Sequence, residues 1–127
     1  MRFAFSDEQR QFAAAVREFL EAECTAKDVR AAAGEGPSEE RWRGLADLGV
    51  IGVLAPPAAG GLGLDEVDLV LIMEEAGRAA LPEPLVETAA VVVPLLRDAA
   101  PGPGRERWLP VVARGGVMVA VEQEGTP

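Results

Sequence analysis

Histidine and tyrosine are absent from this sequence of 127 residues, and Cys24 is its single cysteine. Without histidine, Ser-His and Cys-His triads and the usual zinc sites are excluded. A single cysteine excludes a disulfide framework and favours a reducing compartment. The residues therefore point to no metal site.

Positive charge and long apolar runs are also scarce. The chain carries 12 Lys and Arg residues against 21 Asp and Glu, which gives a net charge of −9. Because binding to a nucleic-acid backbone needs a basic surface, the charge argues against a nucleic-acid partner. The most apolar run, residues 89–96, is far shorter than the roughly 20 residues of a membrane span. The N-terminus lacks the apolar region of a secretory signal, so we expect a cytoplasmic protein without a membrane span.

Small aliphatic residues dominate what remains. Hydrophobic residues make up 49% of the chain and aromatic residues 5%, which suits a core of Ala, Val and Leu between closely packed helices. Ser6 and Gln9 have the spacing of a capping box, which predicts a first helix running to about Glu23. One apolar stripe supports this helix, and it consists of Phe12, Val16, Phe19 and Leu20. Five further helical segments are predicted over residues 26–33, 39–48, 66–80, 85–96 and 105–113.

Local signals set the ends of these segments. Ser38 and Asp65 are predicted N-caps, and Gly49 is a predicted C-terminal glycine. Pro94 should kink or end its helix. Residues 117–121 are rich in valine and bounded by glycine, which predicts a strand. The sequence thus predicts an all-α fold of five to six packed helices, with the start of a β region at the C-terminus.

The glycine cluster in LAPPAAGGLGL, residues 54–64, permits two interpretations. Gly61 and Gly63 supply the first two glycines of the dinucleotide fingerprint G-x-G-x-x-G. Its third position is Glu66, however, and Asp65 adds a second carboxylate where a pyrophosphate would lie. A structural chain reversal explains every residue, so we favour it. In such a chain reversal, at least one of Gly60, Gly61 and Gly63 should have a positive φ.

Other chemically suggestive side chains favour structural roles. Glu74 and Glu75 are adjacent on a predicted helix and cannot face one another as a catalytic dyad, so we expect a solvated face or ion pairs. Cys24 suits a small residue near the core. Trp42 and Trp108 suit core or interface anchors.

Three segments of the sequence resemble the N-terminal helical domain of acyl-CoA dehydrogenases. FSDEQRQFAAAVREFL is similar to the family's opening helix, and RERWLPVVARGGVMVAVEQEG to its L-P-x-x-x-x-G segment and the T-E-P turn that follows. Between them, the family shows L-G-x-x-G, then P-x-x-x-G-G-x-G, then a helix bearing E-E. The matching residues here are Leu48, Gly49 and Gly52, then Pro56, Gly60, Gly61 and Gly63, then Glu74 and Glu75. GRAALPEPLVETAAVVVPLL also resembles a branch found in bacterial steroid and fatty-acid catabolism, in which two different subunits often assemble.

The resemblance implies an FAD-dependent α,β-dehydrogenation of an acyl-CoA thioester, carried out by a homo- or hetero-oligomer. In the family the catalytic base lies in a C-terminal helical domain and most FAD contacts lie in a middle β domain. Residues 1–116 would then be the N-terminal domain and residues 117–127 the start of the β domain. We therefore expect no catalytic residue in this chain and no activity from it alone.

The resemblance also implies positions for substrate and cofactor contacts. The expected acyl-pocket residues are Pro84, Leu85, Thr88, Ala89 and Val92. Leu85, Ala89 and Val92 can share one apolar helix face, although the same face would suit a plain core.

For the cofactor, Glu122 and Gln123 are the expected contacts. Gln123 stands where the family's flavin-contacting threonine belongs, and Gly125 replaces the proline of the turn. Pro57, Ala58 and Ala59 depart from a carboxylate and an aromatic that the family commonly has there. A different interpretation remains open: a non-catalytic helical interaction module, or an inactive partner subunit of a heteromeric dehydrogenase.

Overall fold

The computed structural model describes residues 4–121, which form six α-helices and two further helical segments of other types. The helices are α1 (Asp7–Glu23), α2 (Ala26–Glu35), α3 (Glu39–Leu48), α4 (Glu66–Arg78), α5 (Val93–Asp98) and α6 (Pro103–Ala113). A 3₁₀ turn spans Pro57–Ala59, and a π-helical segment, Val86–Val92, leads directly into α5. The predicted helical fold is therefore confirmed.

Helices α1 and α4 lie side by side and run parallel to each other. Three contacts between them show this, since the contacting residues follow the same order along both helices. Gln9 lies against Asp68, Arg17 against Glu75, and the Cys24 thiol against the carbonyl oxygen of Ala79. Each helix begins with a complete capping box, Ser6 with Gln9 in α1 and Asp65 with Asp68 in α4. Both predicted N-caps are confirmed, and the two helices start at the same end of the domain.

The first and third helices also agree with their sequence patterns. α1 ends at Glu23 as predicted, with Val16 and Leu20 buried. Ser38 caps α3, and Gly49 ends it in the left-handed conformation with φ 86°. Thr25 and Asp28 form a third capping box at the start of α2, which ends at Glu35, two residues beyond the predicted segment 26–33.

Residues 50–55 lie at the centre of the core as a series of turns. Their side chains are almost completely buried, and they contact residues from the surrounding helices in one continuous apolar cluster. Residues 50–55 therefore do not form a strand. A dinucleotide fingerprint requires a strand followed by a helix, and the strand is not formed here.

Pro94 does not end its helix, since α5 continues to Asp98. The irregularity lies before it: in the π-helical segment the Val93 N–H bonds to the carbonyl oxygen of Thr88, five residues back. Pro94 then occupies the first turn of α5, where a missing N–H is tolerated. Pro110 lies inside α6, and this helix begins at Pro103, two residues before the predicted segment 105–113.

The predicted strand over residues 117–121 is not formed in the described part of the chain. These residues have no regular secondary structure, although Met118 and Val119 pack against the core. A strand needs a partner to pair its backbone groups, and residues 4–121 contain no strand. Glu122 and Gln123, the predicted flavin contacts, lie outside the described residues.

Candidate functional site

The five predicted acyl-pocket residues extend from just before the π-helical segment to its last residue, Val92. Leu85, Thr88 and Ala89 share one deeply buried side, with relative exposures of 1%, 0% and 0%. Pro84 and Val92 are half-buried, and Val92 packs against the same apolar cluster. The structure thus brings the five residues together, and within residues 4–121 their shared face packs as core. Their contact with an acyl chain stays a prediction.

Thr88 is the one polar side chain of this group. Its hydroxyl donates a hydrogen bond to the carbonyl oxygen of Val119 at 2.5 Å. Its own carbonyl oxygen accepts from the Val93 N–H. Thr88 therefore connects the π-helical segment to the residues that follow α6.

The opposite side of the same helical run is apolar and exposed. Val86, Val91 and Leu95 have relative exposures of 48%, 38% and 65%. Their spacing of five and then four residues follows the change from π-helical to α-helical turns. We call these three residues the outer stripe.

A buried ion pair, which the sequence analysis missed, fixes the chain just before Pro84. Glu83 is buried, and both of its carboxylate oxygens accept hydrogen bonds from the Arg41 guanidinium. The Ser38 N–H also donates to Glu83 at 2.9 Å, and Arg41 Nη1 donates to the Glu23 carbonyl oxygen at 3.1 Å. The hydrogen bond with Glu83 raises the pKa of Arg41 above its ordinary value.

This pair holds three parts of the fold together: the end of α1, the start of α3, and the approach to the predicted acyl-pocket residues. A carboxylate between Pro82 and Pro84 in an apolar stretch was the available sequence signal. Its partner, however, lies 42 residues away, so the sequence alone did not identify it.

The glycine cluster is a structural corner. Gly60 and Gly63 have φ values of 86° and 64°, which confirms the prediction of a positive φ. A Cβ on Gly61 would overlap the Ala55 carbonyl oxygen, so only glycine fits there. The amide groups of residues 60–64 donate to the carbonyl oxygens of Pro57, Pro56, Gly52, Ala55 and Val53, in that order.

These donors have no capacity left for a phosphate. Asp65 also excludes a phosphate from the start of α4. Its side chain accepts a hydrogen bond from the Val67 N–H, and its own N–H donates to the Asp68 side chain. The first-turn amides that would hold an anion are thus served by carboxylates of the chain itself.

The remaining candidates have structural environments. Glu75 forms ion pairs with Arg17 and Arg78 at 3.8 Å and 3.9 Å, as the sequence suggested. Cys24 is buried, and burial raises the pKa of its thiol. Trp42 is a core residue, whereas Trp108 is 43% exposed with the Arg107 guanidinium 5.0 Å from its ring centre.

Two features are absent from residues 4–121. No group of acidic or cysteine side chains there could hold a metal ion. No helix of that range is long and apolar enough to cross a bilayer.

Comparison with known proteins identifies the fold as a family feature. The family model described as the N-terminal domain of acyl-CoA dehydrogenase matches residues 6–116. The chain belongs to the acyl-CoA dehydrogenase family. This result confirms the resemblance seen in the sequence motifs.

Curated relatives agree with this assignment. The acyl-CoA dehydrogenase FadE34 of Mycobacterium tuberculosis is 39% identical over 94 residues, which cover 67% of this chain and 13% of that protein. The mitochondrial isovaleryl-CoA dehydrogenase of Pongo abelii is 38% identical over 77 residues, covering 59% of this chain and 18% of that protein. The chain therefore spans less than a fifth of the length of these relatives.

Solved structures share the fold of this acyl-CoA dehydrogenase domain. A variant of the Tcur3481–Tcur3483 steroid ACAD aligns with a TM-score of 0.78 at 30% identity, covering 88% of this chain and 31% of that one. The ChsE4–ChsE5 complex of Mycobacterium tuberculosis aligns with a TM-score of 0.74 at 21% identity, covering 91% of this chain and 30% of that one. At that identity the second likeness concerns the fold alone.

Proposed function

We propose that this chain is the N-terminal helical domain of an FAD-dependent acyl-CoA dehydrogenase. The observation that carries the proposal is the family match over residues 6–116, supported by relatives that are named as acyl-CoA dehydrogenases. The domain would contribute one wall of the acyl pocket and part of the subunit packing. We place the enzyme in the cytoplasm.

The chemical contribution proposed for the chain itself is an apolar wall, in which Pro84 and Val92 are half-buried and the other three residues are covered by the core within residues 4–121. Pro84, Leu85, Ala89 and Val92 have no group that can titrate, and the Thr88 hydroxyl already has an acceptor. Such a wall holds an acyl chain by excluding water and fixing its orientation. The flavin supplies the hydride acceptor for the dehydrogenation when it is bound. Its predicted contacts here, Glu122 and Gln123, lie outside the described residues, so we derive no step from them.

The proposed assembly is an oligomer of identical or different subunits. Two of the structural relatives carry the names of paired proteins, Tcur3481–Tcur3483 and ChsE4–ChsE5, which favours different subunits. The second candidate function follows from the same observation: this chain would be a helical partner subunit that packs against an active dehydrogenase without catalysing the reaction itself.

The intact mass of the native protein, read together with its open reading frame, separates the two candidates. If the frame continues into a β domain and a second helical domain, the purified protein should be yellow, and acyl-CoA should bleach its flavin absorbance in the absence of oxygen. The 127-residue chain alone should be colourless and inactive with an artificial electron acceptor. A stoichiometric flavin bound to this chain alone would contradict the proposal that most flavin contacts belong to another domain.

The acyl wall can be tested in the full enzyme with two neighbouring substitutions. Val92→Phe should raise the KM for acyl-CoA, because Val92 lies at the edge of the predicted wall. Val91→Phe is the matched control, since Val91 belongs to the exposed outer stripe. Equal KM values for acyl-CoA in the two variants would contradict the placement of the acyl wall on this side of the helix.

A further inference from the structure

Glu83 belongs to a short, stiff segment that joins α4 to the predicted acyl wall. Pro82 and Pro84 lie on either side of it. A proline fixes its own φ, and the residue before a proline is restricted to extended conformations. The backbone of Glu83 therefore has little freedom of its own, and an interaction that fixes its side chain also fixes the position of Pro84.

Three hydrogen bonds hold the Glu83 carboxylate. Arg41 Nε donates to Oε1 and Arg41 Nη2 to Oε2, and the Ser38 N–H also donates to Oε2. The guanidinium is fixed in turn, because Arg41 Nη1 donates to the Glu23 carbonyl oxygen at the end of α1. Two parallel bonds between planar groups set both a distance and an orientation. The carboxylate is therefore tied to α1 and α3 in one geometry.

Backbone hydrogen bonds continue from this carboxylate into the helical run of the wall. The Leu85 N–H donates to the Glu83 carbonyl oxygen at 2.8 Å, and the Thr88 N–H donates to the Pro84 carbonyl oxygen at 3.0 Å. Pro84 is half-buried, so part of its ring lies at the surface of the predicted wall. The ion pair is thus one residue away from that surface.

Stability alone does not account for a buried ion pair at this place. The Glu83 side chain is fully buried and the Arg41 side chain is 9% exposed. Removing two such charges from water costs about as much as their attraction returns, so apolar side chains of similar volume are often equally stable. Apolar side chains can pack in several ways, however, whereas two paired planar groups fix one arrangement. The pair therefore supplies an orientation that an apolar core would not.

We propose that Arg41 and Glu83 are positioning residues for the predicted acyl wall. They hold Pro84 at one place and in one orientation relative to α1 and α3, and the apolar chain of an acyl-CoA packs against the surface that is fixed in this way. The positioning of Pro84 rests on the contacts of this chain alone. Its consequence for an acyl-CoA rests on the proposed function.

A double substitution in the full-length protein separates position from stability. Arg41→Met with Glu83→Leu, the apolar double variant, should keep most of the stability that Arg41→Met alone loses, as urea unfolding would show. The matched control is Glu39→Leu with Arg43→Met, which removes the same charges from exposed positions of α3. If the apolar double variant does not fold, Arg41→Lys replaces it in every measurement, since lysine keeps the charge and cannot form the two parallel bonds.

Hydrogen exchange of the unliganded protein shows how firmly the segment is held. Mass spectrometry would follow peptides that cover residues 83–90, with peptides from α4 as the internal reference. In the apolar double variant the amides of residues 83–90 should exchange roughly tenfold faster or more, because a segment that has lost charged hydrogen bonds opens more often. The control variant should exchange at the wild-type rate.

Steady-state kinetics with octanoyl-CoA then tests the consequence for the substrate. The KM of the apolar double variant should rise on the order of tenfold. Its kcat should change little, because the lost contact serves the bound substrate and the transition state alike. The inhibition constant of coenzyme A without an acyl chain should stay unchanged, which assigns the effect to the acyl part. A purely structural pair would leave the KM of a stably folded variant at the wild-type value.

The outcomes separate the positioning role from the proposed function. Wild-type exchange rates over residues 83–90 in the apolar double variant would overturn the positioning role. Faster exchange with an unchanged KM would overturn its consequence for the acyl chain. Failure of the full-length protein to bind octanoyl-CoA would overturn that consequence together with the proposed function, and the exchange rates would still decide the positioning role.

Discussion

Gly63 holds a left-handed backbone at the glycine corner, with φ 64° and the Pro57 ring against the place of a Cβ. Gly63→Ala should therefore lower the free energy of unfolding by about 1 kcal/mol or more. Gly77→Ala is the matched control, because Gly77 lies inside α4 with no atom near the added Cβ. It should raise stability by about 0.5–1 kcal/mol. Urea unfolding measures both, and a stabilising Gly63→Ala would contradict the corner geometry.

The buried ion pair gives a second prediction at the scale of single residues. Arg41→Met would leave the Glu83 carboxylate buried without its cation, at a cost of about 3–5 kcal/mol. Arg43→Met is the control, since Arg43 is exposed on the same helix as Arg41 and exposed charges contribute about 0–1 kcal/mol. Arg41→Met combined with Glu83→Leu should recover much of the loss. Similar unfolding midpoints for the two single variants would show that the pair is not important for stability.

These two sites differ in how far the sequence reveals them. The glycine corner is a local feature, and the residues between Pro56 and Asp65 were enough to predict it. The Arg41–Glu83 pair depends on two residues that meet only after α1, α3 and the chain before Pro84 have packed. Periodicity and capping rules contain no information about such long-range partners.

At the scale of the helices, one hydrogen bond joins two capping boxes. Gln9 Nε2 donates to Asp68 Oδ1 at 2.8 Å, so the starts of α1 and α4 stabilise each other. This bond, with a second from the Asp65 N–H, lowers the pKa of Asp68 below its ordinary 3.8. A lowered pKa in the folded state contributes stability above the unfolded pKa, and this contribution is lost as the pH falls through the folded value.

Gln9→Ala should therefore reduce the loss of stability that occurs below about pH 4. Gln11→Ala is its control, because Gln11 is exposed on the same helix. Chemical unfolding of the wild type and both variants between pH 2 and 6, on the order of one point per half unit, measures the effect. Identical acid slopes for Gln9→Ala and Gln11→Ala would exclude the cross-link between the boxes.

The helices themselves were largely predictable, because each cap lies within a few residues of the pattern it begins. The path around Pro94 was not. A rule for an isolated α-helix predicts a kink or an end there, whereas the chain changes its hydrogen bonding to a π-helical turn before the proline. The prediction of a strand over residues 117–121 also used a rule for an isolated segment. A strand forms by pairing with another strand, and residues 4–121 contain none.

For the whole molecule, the family match extends over residues 6–116, while the chain covers 13% to 18% of the two curated relatives compared here. Most of the residues of those enzymes lie in segments that have no counterpart in this sequence. The inward face of Leu85 and Ala89 is nevertheless closed within this chain. The sequence analysis had left core packing open for that face, and the structure agrees with core packing. Among the exposed apolar side chains of residues 4–121, the outer stripe is the row that follows one side of this helical run.

The last prediction concerns association through the outer stripe. Val86, Val91 and Leu95 form an apolar row on one side of a continuous helical run, and a row of this kind favours burial against another surface. The 127-residue chain should form dimers or larger species, which light scattering over a concentration series would detect. Val91→Glu with Leu95→Glu should return it to the monomer, because two buried carboxylates without partners oppose association.

Added negative charge alone could weaken association of a chain whose net charge is already −9. Val67→Glu with Val70→Glu is the matched control, since these residues on α4 are 39% and 50% exposed and lie outside the outer stripe. The control should add the same charge and leave the dimer intact. A wild-type chain that remains monomeric at all concentrations would remove self-association, and equal dissociation of both double variants would assign it to charge rather than to the outer stripe.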